Sequence, residues 1–179
     1  RGDEASAVMA TGPLPHAQEG PHDLLLNGDF AAGTADWTPV VFGELGGQGA
    51  LSFSVERIAA LGDVHGARLR VSESDGVPYH LRLTQPVTVE AGAVLLLTST
   101  LMADRPTRVR LGVQERVPPY RSVTVRIVDI GPEPKTIKLS LSNQHPALQA
   151  QYQLDLGYAE PGTTVWLAAA RLREMWTQP

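Results

Sequence analysis

Residues 79–103 read "YHLRLTQPVTVEAGAVLLLTSTLMA", and their spacing decides the fold class. Tyr79, Leu81, Leu83, Val87 and Val89 share one parity, while His80, Arg82 and Thr84 share the other. Apolar residues at every second position suit a strand with one face on a core, because successive side chains point to opposite faces of a sheet. Gly92 interrupts the pattern, and a longer apolar strand follows from Ala93 to Ala103. That run is broken by Thr and Ser and is far short of the ~20 apolar residues of a membrane-spanning helix.

The same period recurs on either side. "LSFSVERI" (51–58) and "ARLRVSES" (67–74) alternate. "TRVRLGVQE" (107–115) turns Val109, Leu111 and Val113 inward and Arg108, Arg110 and Gln114 outward. "RSVTVRIVD" (121–129) is expected to bury Val123, Val125 and Ile127, and "KTIKLSLSN" (135–143) to bury Ile137, Leu139 and Leu141. "LQAQYQLDLG" (148–157) sets Tyr152, Leu154 and Leu156 against Gln149, Gln151, Gln153 and Asp155, and "TTVWLAAARLREM" (163–175) reads as the last strand. Many short alternating segments punctuated by Gly and Pro predict an all-β chain: an antiparallel two-sheet sandwich from residue 24 to 176. Trp37 and Trp166 are expected in its core, with Trp176 exposed near the end. Residues 1–23, rich in Ala, Gly and Pro, read as an extended N-terminal arm, and 177–179 as a tail.

Composition narrows the function classes. The chain has 179 residues, a formal net charge of −4 and no cysteine. It lacks the basic footprint of a nucleic-acid binder, and it has no disulfide, thiolate metal site or cysteine nucleophile. Its cations are 13 Arg against 2 Lys, a planar donor set suited to sugars, carboxylates or protein surfaces. No HExxH, GxSxG or phosphate-cradling loop occurs, and "LGDVHG" (61–66) lacks the companion segments a metallophosphatase needs. The expectation is a non-catalytic protein.

The order of these segments resembles the family 4/9 carbohydrate-binding modules, which are galactose-binding-like jelly rolls. "LLLNGDFAAGTADW" (24–37) is similar to that family's opening strand, and 79–103 to its pairing of an aromatic, an alternating strand, Val-x-x-Gly and a long apolar strand. "VRLGVQERVPPY" (109–120) resembles the segment before a crossing loop; "QYQLDLG" and "TTVWLAAARL" resemble the last two strands. The resemblance implies a concave glycan cleft floored by Gln, Asn and Arg and flanked by aromatics. By position it assigns Gln151, Gln153 and Asp155, with Arg82, Arg110 and Gln114, to the floor. Phe42 and Tyr79 become flanking aromatics and Tyr120 a rim, although the parity of Tyr79 points to the core. Sugar hydroxyls favour planar bidentate partners, and pyranose faces stack on aromatic rings.

The resemblance also implies a structural calcium where the first strand meets the last. Here Ala31, Ala168 and Ala169 stand at the positions of its acids, so no metal and no cofactor is expected. The implied partner is a polysaccharide or oligosaccharide, and the implied location is extracellular or on the cell surface, with no signal peptide read in the residues. The Arg-rich middle, nine Arg against five acids between residues 68 and 126, would suit an anionic glycan. The alternative is a structural subunit of a surface layer, fibre or capsid. It would self-assemble through its arm, with "EASAVMATG" (4–12) adding a strand to a neighbour.

Overall fold

The structure, a computed structural model, describes residues 18–45 and 49–176. The stretch 4–12 and the tail 177–179 lie outside the described residues. The strands are β1 (Gln18–Asp23), β2 (Thr38–Val41), β3 (Leu51–Ile58), β4 (Val64–Val71), β5 (Leu81–Val89), β6 (Val94–Ala103), β7 (Thr107–Glu115), β8 (Ser122–Ile130), β9 (Lys135–Ser142), β10 (Leu148–Asp155) and β11 (Thr164–Trp176). Helix is confined, among the described residues, to three single 3-10 turns, none able to cross a membrane.

Every strand pair is antiparallel. One sheet runs β3-β4-β11-β6-β9, the other β2-β5-β10-β7-β8. The first half of β11 borders β4 and its far end borders β1, so one long strand serves two neighbours on the same edge. The core lies between the sheets. Leu81, Leu83, Leu111, Val113, Tyr152 and Leu154 from one meet Leu69, Leu95, Leu97, Leu101, Val165 and Leu167 from the other, all without exposed surface. Tyr152, the largest of the fully buried side chains, keeps its hydroxyl 2.8 Å from Ser99 Oγ, and burial pushes its pKa well above the ordinary value.

The opening stretch differs from the expected strand. Residues 24–36 form bends and turns, and side chains replace the ladder. The Leu26 amide donates to Gln85 Oε1 (2.6 Å) and Gln85 Nε2 donates to the Leu26 carbonyl (2.8 Å), so one buried amide imitates a strand partner. Asn27, at φ 49°, donates to the carbonyls of Gly33 and Ala35 and accepts from the Ala32 amide. Trp37 closes the loop: its indole donates to the Asn27 carbonyl and stacks on Phe30 at 5.2 Å. Trp37 therefore lies in the core as its spacing predicts.

Gly28 touches β11 where that strand bulges. Ala169 has φ 49°, the register with β6 shifts between Ala168 and Arg171, and the freed Ala170 amide donates to the Gly28 carbonyl at 3.0 Å. The bulge moves the core-facing parity from Val165 and Leu167 to Ala170 and Leu172. A Cβ on Gly28 would stand 1.9 Å from the Ala170 carbonyl oxygen. Gly28→Ala is therefore expected to cost roughly 2–3 kcal/mol, the upper range for overpacking against backbone, measurable by urea unfolding. The residues at this corner do not fit a calcium ion: Ala31, Ala168 and Ala169 offer methyl groups, and no three acidic or His side chains gather among the described residues.

Two further expectations are corrected. In β8, Val128 and Ile130 face the core while Ile127 is 57% exposed, because a register shift against β7 reverses the parity after Val123. Trp166 lies on the outer face of its sheet, since its neighbours Val165 and Leu167 take the core, and its indole donates to Glu56 Oε1 at 2.7 Å. The side chain of Trp176 is outside the described residues.

Candidate functional site

Three central strands of the β2-β5-β10-β7-β8 sheet carry the polar side chains of its outer face in register. Asp155 of β10 is flanked by Arg82 of β5 and Arg110 of β7. One step along, Gln153 lies between Thr84 and Gly112; a further step sets Gln151 beside Gln114. The pleat thus lifts guanidiniums, amides and a hydroxyl onto one surface. Gly112 is small for a reason, since a Cβ there would meet the Thr124 carbonyl oxygen at 2.0 Å.

These groups hold one another still. Asp155 has no exposed surface, and its Oδ2 accepts from Arg110 Nε (2.8 Å), Arg82 Nη2 (3.3 Å) and Gln153 Nε2 (3.3 Å). Arg82 Nε lies 3.0 Å from Oδ1 without hydrogen-bond geometry, so that contact is an ion pair only. Burial pushes the Asp155 carboxyl pKa above its ordinary value, against the opposing pull of Arg82 and Arg110. Gln153 Nε2 also donates to Gln114 Oε1 (3.0 Å), and Gln151 Nε2 donates to Gln153 Oε1 (3.2 Å). The chain of bonds fixes which way each amide faces.

Above this floor lies an open groove of about 550 Å³. At the Arg82 end stand Phe42 and Tyr79, edge to face with centroids 6.3 Å apart, and the Arg82 guanidinium carbon lies 5.7 and 5.8 Å from their ring centres. Those distances are within cation–π range. Tyr79 is held in turn by His80, whose ring it meets edge on and which pairs with Asp75. The parity of Tyr79 misleads because Pro78–His80 is a 3-10 turn before β5 begins, which swings the ring out of the core to 45% exposure. At the opposite end Tyr120 is 54% exposed in the Val117–Tyr120 turn, with its carbonyl receiving Gln114 Nε2 at 2.9 Å.

Beside Tyr120 the loop is closed by Arg121, which grips Glu115 with Nε and Nη2 at 2.9 and 3.0 Å while its amide donates to the same carboxylate. This holds the Glu115 pKa at about 2, down from 4.5. A depressed acid stabilises the fold fully above its unfolded pKa and loses that contribution as pH falls toward the folded value. The 116–121 loop is therefore expected to loosen as pH drops from 4.5 toward about 2, seen as faster amide exchange there, and Glu115→Gln is expected to lack this acid limb.

Of the nine residues predicted for the site, Phe42, Tyr79, Arg82, Arg110, Gln114, Tyr120 and Gln151 line the groove. Gln153 and Asp155 lie beneath it without exposed surface, orienting the residues above. Sequence reading did not select Val40, Thr84, Glu115 or Arg116, which also line it. Thr84 was visible by its shared parity with Arg82. Val40 sits on a four-residue edge strand, and Glu115 and Arg116 at a loop junction, where period-two spacing carries no information.

No family model and no curated protein matches the sequence. Solved structures do match the fold. One is a CBM4 module, at 14% identity and TM-score 0.65, covering 83% of this chain and 98% of that one. Another is a family 16 carbohydrate-binding module, at 15% identity and TM-score 0.61, covering 83% and 98%. A third is the N-terminal cellulose-binding domain of β-1,4-glucanase C from Cellulomonas fimi, at 18% identity and TM-score 0.56, covering 79% and 93%. At these identities the likeness establishes architecture alone: the chain shares the two-sheet β-sandwich fold of these structures.

Proposed function

We propose that this protein binds a glycan chain in the groove across β5, β10 and β7, without catalysis and without a cofactor. The observation that carries the reading is the floor: planar amide and guanidinium donors, locked by mutual hydrogen bonds, lie between aromatic side chains at both ends. Preset donors cost little ordering on binding, and exposed rings take the apolar faces of sugars. The fold likeness to carbohydrate-binding modules supports the reading and favours an extracellular setting. The groove is open and its rings do not form a flat platform, which suits a single soluble chain.

Gln151→Ala tests it, because Gln151 is half-buried and its loss leaves the Arg82–Asp155–Arg110 contacts in place. Calorimetry against a panel of soluble oligosaccharides should find a binder whose affinity falls about tenfold in the variant, the loss of one or two hydrogen bonds. If no oligosaccharide binds at millimolar concentration, the groove is not a glycan site. Assembly through the N-terminal arm, residues 1–23, is then the surviving reading, and deleting them should change the oligomeric state.

A further inference from the structure

We infer that the groove selects an acidic glycan, one whose pyranose rings carry carboxylates; this rests on the reading of the groove as a glycan site. Four guanidiniums, those of Arg82, Arg110, Arg116 and Arg121, stand in or against the groove, facing two carboxylates, Glu115 and Asp155. Among the described residues two positive charges are left over, on a chain whose net charge is −4.

The two carboxylates are already committed. Glu115 is held bidentate by Arg121. Asp155 is one carboxylate shared by two guanidiniums, and its Oδ2 alone takes both Arg110 Nε and Arg82 Nη2. Arg82 Nε makes no hydrogen bond, although the residue is only 9% exposed. Two guanidiniums on one carboxylate leave one positive charge over at this end, and both Arg82 and Arg110 line the groove, where a further anion can pair with it. Asp75, which stands behind Tyr79 through His80, is paired with that histidine and does not line the groove.

Arg116 supplies the second excess charge. It is exposed, lines the groove beside Tyr120 and has no acidic partner among the described residues. It stands six positions beyond Arg110, roughly 20 Å along the strand direction at about 3.4 Å per residue. The two excess charges are therefore spaced along the groove, a pattern met by a chain that repeats its carboxylates and not by one isolated anion. A guanidinium offers a planar fork that matches a carboxylate.

The test is calorimetry with an oligogalacturonate, an oligoglucuronate, the same oligosaccharides with their carboxylates reduced to alcohols, a sulfated oligosaccharide and polyglutamate. The expected result is binding of a uronate oligosaccharide at least tenfold tighter than its reduced counterpart, weakening with salt as a screened charge contact must. Arg116→Ala should lower the ratio of uronate affinity to reduced-form affinity several-fold, whatever it does to the two affinities together, and the exposed position keeps folding out of the comparison. Equal binding of uronate and reduced forms would overturn the inference and leave the glycan site standing. Tighter binding of polyglutamate or of the sulfated chain would overturn the carboxylated-sugar selection. Binding of none of these, with a neutral oligosaccharide bound, overturns the inference alone; failure of every oligosaccharide removes both.

Discussion

Replacing Asp155 by Ala lowers the stability of the fold by about 3–5 kcal/mol, the penalty of leaving a buried charge without its partner. Arg82 and Arg110 lose the carboxylate they share, and Gln153 loses an acceptor, so the damage extends through the amide chain to Gln114. Urea unfolding measures it directly. Asp155→Asn recovers little, because an amide keeps the shape and not the charge. A triple replacement, Arg82→Met with Arg110→Met and Asp155→Leu, recovers most of the stability, since well-packed apolar groups commonly replace a buried ion cluster at no loss. On the proposed function the same variant is expected to lose glycan binding, so that folding and binding separate. Retention of full stability by Asp155→Ala would mean that the carboxylate neither compensates nor orients its neighbours.

Trp37→Ala has an effect of similar size at the opposite face of the same sheet. The ring is 5% exposed, stacks on Phe30, meets Tyr152 edge on at 5.3 Å and donates its indole hydrogen to the Asn27 carbonyl. Removing a large buried aromatic costs about 3–5 kcal/mol. For a domain of this size that lowers Tm on the order of 10 °C, which differential scanning calorimetry reads. Trp166→Ala, on an outer face, should cost well under half as much. Equal losses in the two variants would contradict the placement of Trp37 as the anchor of the 24–36 loop.

Much of this architecture was legible in the period-two spacing of residues 79–103 and 107–157. Strands with one dry face must alternate, and β5, β7 and β10 do so with their polar residues in register across the sheet. The failures fall where alternation is interrupted. The bulge in β11 and the register shift in β8 each change parity by one residue, which spacing cannot announce. The 3-10 turn before β5 redirects Tyr79. The segment around Leu26 has strand-like composition, yet its hydrogen bonds go to a side chain, Gln85, fifty-nine positions away. For the site, spacing placed Gln151, Gln153 and Asp155 on one face. It could not say that the last two lie underneath, because depth depends on the long side chains of the neighbouring strands.

A glycan in this groove would lie on the locked amides and guanidiniums of one sheet. An NMR titration of the isotopically labelled protein with the tightest-binding oligosaccharide, following side-chain nitrogen signals, tests it most directly. With a glycan in the groove, the Gln114 and Gln151 amides and the Arg82, Arg110 and Arg116 Nε signals should move together and saturate. The Trp166 indole on the other sheet should stay fixed. Shifts confined to the Trp166 face, or none in the groove at saturating ligand, would contradict it.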